Sequence, residues 1–151
     1  MTQMPISNSF VIIVTVSLLV QLAVLGLLLY GYLLKRRLRF QQHGFIMAVA
    51  VFLHLTVVFT VMIPSFVLAI IPEYVVANVA SATSVVSLIH ASFGATALTL
   101  GLWFVLGWRL KGLKGCFKRK MYMRWTLIVW ATSLLLGIVL YIILYWAALM
   151  G

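Results

Sequence analysis

The sequence has almost no acidic residues, a single cysteine and few charged residues of any kind. Glu73 is its only acidic residue, and charged residues make up 8% of the chain, against roughly 25% in soluble domains. Because no carboxylate pair is present, the usual acid–base catalysis of hydrolysis or group transfer is excluded. Cys116 has no second cysteine to pair with, which excludes a disulfide framework. Phosphate-loop and zinc-protease motifs are absent as well.

Hydrophobic residues dominate instead, at 66% of the chain, with a mean hydropathy of +1.23. All eleven Lys and Arg residues fall in two short stretches, 35–39 and 109–124, and the long segments outside them are apolar. A water-soluble domain of this size has no core large enough to hide such segments. The pattern predicts an integral membrane protein with a single transmembrane domain, residues 1–151.

Four membrane-spanning helices are predicted, at about 10–34, 44–71, 79–108 and 125–149, each longer than the roughly 20 residues that cross the hydrocarbon. Short connections predict an all-α, antiparallel up-down-up-down four-helix bundle. Pro64 is expected to kink the second span and Pro72 to end it. No basic residue precedes the first span, which indicates a retained helix rather than a cleaved signal peptide.

The two basic loops, 35–42 and 109–124, set the expected orientation. Lys and Arg favour the cytoplasmic side of membrane proteins, so both termini are predicted outside, in a multi-pass protein of the plasma membrane. A net charge of +10 often indicates a nucleic-acid partner. Here the charges flank membrane spans, where they meet anionic lipid headgroups. The expected partner is therefore the lipid bilayer and not nucleic acid.

Two histidines lie deep inside predicted spans. His54 follows Gly44 by ten residues and His90 follows Val79 by eleven, which places them about 15 and 16 Å from opposite ends of their helices. The second and third spans are expected to be antiparallel, so both imidazoles are predicted at mid-bilayer on one level. Polar side chains at this depth are costly and usually functional.

A facing histidine pair favours axial ligation of a b-type haem iron between helices. His54 and His90 are then the metal ligands, and the small residues Gly94, Ala97 and Gly137 are expected to leave space for the macrocycle. Bis-His ligation favours electron transfer over oxygen chemistry. Since basic residues lie only at the cytoplasmic end, Arg124 is expected to reach the haem propionates.

Other interpretations of the histidine pair remain open. Each imidazole can hydrogen-bond across the bundle to Gln21, Thr56 or Thr96, and small-residue stripes are an ordinary means of helix packing in lipid. The protein would then be a non-catalytic assembly factor or structural subunit. A quinone, copper or proton site is a further alternative. Zinc is disfavoured, because its sites use Cys, His or carboxylate ligands in larger sets.

His43 lies at the start of the second span, on the same face as His54. An interfacial histidine is most often solvated. A second site there, for another haem or metal, would need a soft partner besides Met47. The candidates are Met121, Met123 and Cys116.

Three short motifs resemble the YozB-like family of small four-helix membrane proteins, which have no known function and are often encoded beside haem-copper oxidases. The motifs are His43-x-x-x-Met47, His90 and Trp130-x6-Gly137-x3-Tyr141, within residues 39–145. The resemblance implies an association with terminal-oxidase biogenesis or respiration.

The chain also departs from that family's pattern. Members usually carry a histidine in the last basic loop, where this chain has Phe117, Lys118, Arg119 and Lys120, and a Tyr and a Thr where it has Thr132 and Leu136. The combined expectation is an electron-transfer or accessory protein rather than a stand-alone enzyme. Its expected partners are larger respiratory-complex subunits or a quinone.

Overall fold

The computed structural model describes residues 8–118 and 120–150, and side chains over 11–108 and 121–145. Four long helices form the described fold: α1 (Asn8–Arg36), α2 (Phe40–Val75), α3 (Ala82–Lys118) and α4 (Lys120–Met150). No strand occurs in these ranges. The predicted all-α class is confirmed.

Each of the four helices contains a segment long and apolar enough to cross a membrane. Large apolar side chains point outward along the bundle, as shown by Leu19, Phe52 and Leu68, which are 60%, 67% and 74% exposed. Exposing such an apolar surface to water is unfavourable, whereas lipid tails solvate it. The apolar surface of the helices is therefore consistent with a lipid bilayer environment.

Three of the predicted boundaries are wrong. The basic stretch 109–124 was expected to be a loop, but α3 continues through residue 118 and α4 begins at residue 120. Lys and Arg are good helix formers, so this stretch extends both helices beyond their apolar segments. The second helix also runs past Pro72, which was expected to end it.

The outer half of α2 is irregular. The helix is α-helical over Phe40–Val57, π-helical over Val58–Met62, α-helical over Ile63–Ser65 and π-helical over Phe66–Val75. Pro64 and Pro72 each remove a backbone donor, and a π-helical turn widens the helix where the regular hydrogen bonds are missing. The change of geometry therefore occurs around Pro64, where a kink was expected.

A tight turn joins α1 to α2. Leu38 has a positive φ of 59°, while the N–H of Leu38 donates to the carbonyl of Lys35 and the N–H of Arg39 to that of Leu34. These two bonds form a Schellman motif with Leu38 in the left-handed position. The motif reverses the chain so that α2 packs directly on α1.

Neighbouring helices run in opposite directions. At each helix interface, as the residue number increases along one helix, the number of the contacting residue on the other helix decreases. The pairs are Gln21–His54 and Gly31–His43 for α1–α2, Gly44–Trp108 and Val51–Gly101 for α2–α3, His90–Gly137 and Trp103–Tyr122 for α3–α4, and Thr15–Tyr141 and Lys35–Met123 for α1–α4. The helices therefore form a closed antiparallel ring in the order α1, α2, α3, α4.

The packed core lies in the half of the bundle nearer the basic stretches. Its buried members are Val24, Leu28, Ala50, Val51, Ala97 and Trp130. Beyond this core, toward Tyr141 and Tyr145, the helices border a partly open cavity of about 540 Å³. The irregular half of α2 forms one wall of that cavity.

Candidate functional site

His54 is held at the inner end of the large cavity by a hydrogen bond to another helix. Its Nδ1 lies 2.8 Å from Oε1 of Gln21 on α1. An amide oxygen only accepts, so Nδ1 carries the proton and Nε2 keeps its lone pair. That Nε2 is buried without a hydrogen-bond partner. The imidazole also packs on Trp130 of α4, with ring centroids 4.4 Å apart.

His90 is fixed in a similar way from the other side. Its Nδ1 lies 2.8 Å from the backbone carbonyl of Ser133 on α4, so this nitrogen also donates and Nε2 is the acceptor. A Cβ at Gly137 would lie 3.0 Å from Cε1 of His90. Glycine at position 137 thus lets the imidazole lie directly against the α4 backbone.

Both histidines line the same cavity and are close enough to interact electrostatically. Two further polar atoms in that lining, Nε2 of Gln21 and Oγ of Ser87, are buried and unpaired within the described part of the chain. Unpaired buried polar groups are costly and call for an explanation such as a bound ligand. The volume of about 540 Å³ lies within the range of small-molecule and cofactor sites.

Both histidines also contact α4. His54 packs on Trp130, whereas His90 contacts Ser133 and Gly137. The equal depth expected for the two histidines stays a prediction.

The predicted small residues have different neighbours. Gly94 and Gly137 line the cavity, but their nearest contacts are Ser133 and His90, so they mainly bring α3 and α4 together. Ala97 is fully buried in the packed core and not in the cavity lining.

Arg124 is exposed near the start of α4 and does not line the cavity. It precedes Gly137 by thirteen residues, or about 20 Å along the helix. The structure therefore does not bring Arg124 to the site where propionates were expected.

Of the three side chains expected as hydrogen-bond partners of the histidines, only Gln21 bonds to one of them in the described residues. Gln21 is the partner of His54, as the sequence allowed. Thr56 and Thr96 are both exposed, and each donates to a carbonyl of its own helix, Phe52 and Ser92 respectively. The partner of His90 is the backbone carbonyl of Ser133, and a pattern of side chains in the sequence cannot predict such a bond.

His43 lies at a second, smaller cavity of about 60 Å³ near the basic end. Its Nδ1 is 2.7 Å from the carbonyl of Gly31 on α1, and it is 6% exposed, so it is not solvated. Met47 and Met123 line this cavity too. Met121 is 69% exposed, and Cys116 lies outside the described side chains.

Comparison with known proteins gives no match: no family model, curated protein or solved structure matches this chain. The resemblance to the YozB-like family stays a prediction that rests on the motifs quoted above.

Proposed function

We propose that this chain is a membrane b-type haem protein in which His54 and His90 supply the two axial ligands. The protein passes electrons or supports a respiratory terminal oxidase. One observation carries the proposal: two imidazoles line one cavity, each with Nδ1 engaged by a neighbouring helix and Nε2 left as the acceptor. Histidines that bind metals usually have their second nitrogen held in this way.

The fit of a haem depends on space and on available donors. The unpaired, buried Nε2 of His54 gains a partner when it binds iron. The lining is mostly apolar, which suits a hydrophobic macrocycle. His54 and His90 both line this cavity, which also reaches Tyr141 and Tyr145.

The chain's own residues would set the properties of such a site. Gln21 and the Ser133 carbonyl fix the imidazole orientations and tautomers, and their acceptor strength increases the basicity of the ligands. Bound haem supplies reversible one-electron chemistry, which bis-His ligation directs to electron transfer. Tyr141, whose hydroxyl is 2.8 Å from Oγ1 of Thr15, offers a polar contact at the far end of the cavity.

Location and partners belong to the same proposal. We place the basic ends of the helices in the cytoplasm of a plasma membrane, because Lys and Arg strongly favour that side. Larger respiratory-complex subunits are the proposed protein partners, by the resemblance to the YozB-like family.

A reduced-minus-oxidised absorption spectrum tests the haem directly. The protein would be purified from a haem-replete host, and haem would be added to any unloaded fraction. We expect a Soret band with the low-spin features of two histidine ligands, lost in both His54→Ala and His90→Ala. A wild-type preparation without a Soret band, and with no gain on haem addition, would overturn the proposal.

A second candidate function is a non-catalytic assembly factor or structural subunit. The observation in its favour is that all three histidines bond across a helix interface, His43 to Gly31, His54 to Gln21 and His90 to Ser133. It predicts that His54→Ala and His90→Ala each lower stability by about 1 kcal/mol without any spectral change. It also predicts co-purification with larger oxidase or dehydrogenase subunits.

A further inference from the structure

We propose that His43, Met47 and Met123 form a binding site for the soft monovalent ion Cu(I) in the small cavity near the basic end. This site is separate from the haem proposed above. His54 and His90 line only the large cavity, whereas these three donors line only the small one.

The imidazole of His43 is already oriented to bind a metal ion through Nε2. The Gly31 carbonyl accepts from Nδ1 at 2.7 Å, so Nε2 holds the lone pair. The ring is buried and lines the cavity. A histidine oriented by a backbone carbonyl is the usual form of a metal-binding imidazole.

The two thioethers complete the donor set. Met47 follows His43 by one helical turn on the same face of α2, and a Cβ at Gly31 would lie 3.0 Å from Sδ of Met47 and 3.6 Å from Nδ1 of His43. Met123 reaches the same cavity from α4. One nitrogen and one sulfur donor from α2 and one sulfur donor from α4 therefore line the same volume of about 60 Å³.

Trp108 covers the same cavity. A Cβ at Gly44 would overlap its indole ring, so glycine at position 44 is what allows the ring to lie against α2. An aromatic face stabilises a desolvated cation beside it. The indole would thus shield a bound monovalent ion from water and contribute to its affinity.

The donor set selects the ion. Thioethers and imidazole suit Cu(I), whereas carboxylates and carbonyls suit harder ions. Within the described residues, no group of three or more His, Cys, Asp or Glu converges, which disfavours zinc. The described basic side chains at this end of the bundle are Lys35, Arg36, Arg37, Arg39 and Arg124. A single positive charge is therefore tolerated better here than a double one.

Lys35 competes for the site. Its Nζ lies 3.4 Å from Sδ of Met123, where it occupies a sulfur lone pair and adds a like charge. Its flexible side chain must turn away when the metal binds. Lys35→Gln is therefore expected to raise the affinity for Cu(I).

The test is a competition titration of the full chain in detergent micelles with Cu(I), kept reduced by ascorbate, against a chromophoric Cu(I) chelator. We expect one Cu(I) per chain, with X-ray absorption showing sulfur and nitrogen neighbours. Met47→Leu, Met123→Leu and His43→Gln should each weaken binding about tenfold or more. Leucine conserves the volume of methionine, and glutamine can still donate to Gly31.

The matched control is Met121→Leu, because this exposed methionine lies two residues from Met123. Thermal unfolding of each variant verifies that it folds. Failure of the wild type to compete for Cu(I), or equal affinities for Met123→Leu and Met121→Leu, would overturn the proposal. None of these substitutions touches the large cavity, so a Soret band that persists in them keeps the haem proposal separate.

Discussion

The imidazole of His54 donates through Nδ1 to Oε1 of Gln21 at 2.8 Å, across the α1–α2 interface. Both residues are almost fully buried, at 4% exposure each. The bond fixes which histidine nitrogen faces the cavity. It therefore joins the packing of α1 and α2 to the chemistry available in the large cavity.

Replacing Gln21 by leucine should remove the hydrogen bond that orients the imidazole of His54. The substitution leaves Nδ1 of His54 without its acceptor, so we expect a loss of about 1–3 kcal/mol in unfolding free energy, measured by denaturant titration in micelles. If haem is bound, its reduction potential should also shift. Thr56→Val is the control, because Thr56 is exposed and bonds only within its own helix. Equal stabilities for the two variants would contradict the role assigned to Gln21.

Gly137→Ala should disturb the contact between α3 and α4. The added methyl group would lie 3.0 Å from Cε1 of His90, so the ring or the helix must move, at a cost of about 1–3 kcal/mol. Thermal unfolding measures this effect. Gly26→Ala is a matched control, because nothing lies within 4 Å of a Cβ at that position. Alanine is the better helix former, so Gly26→Ala should be neutral or stabilising.

Gly44→Ala should displace Trp108. Because a Cβ at position 44 would overlap the indole, we expect lower stability and a shifted tryptophan fluorescence spectrum. Trp108→Leu in the same chain should recover part of the stability, since the smaller side chain leaves room for the methyl group. A double variant no more stable than Gly44→Ala would show that the overlap is not the cause.

Leu38→Gly should stabilise the protein. Leu38 adopts a left-handed conformation with φ of 59°, which costs a non-glycine residue about 1–2 kcal/mol. Its side chain is 72% exposed, so little packing is lost. We expect a higher unfolding temperature. Arg37→Gly, one position earlier and outside the left-handed region, should give no such gain. A lower unfolding temperature for Leu38→Gly would contradict this account.

Much of the fold was predictable because helices that cross a membrane must be long and apolar. Four apolar segments between basic stretches indicate four helices, and the structure has them. The helix ends were not predictable in the same way. Residues 109–124 are polar enough for a loop, but Lys and Arg also extend helices into water, and hydropathy cannot separate these outcomes.

The sequence predicted which residues lie at the site better than it predicted their contacts. His54 and His90 do share a cavity, and Gln21 is a partner of His54. The acceptor for His90 is the backbone of Ser133, which has no signature in sequence.

The alternating direction of the four helices has an electrical consequence. Each helix carries a macrodipole of roughly half an elementary charge at either end, and opposed neighbours around the ring largely cancel one another. The interior of the bundle therefore experiences little net field from the peptide units. Any charge that enters the large cavity is stabilised only by individual groups such as His54, Gln21 and Ser87, so single substitutions there should act almost without compensation from the backbone.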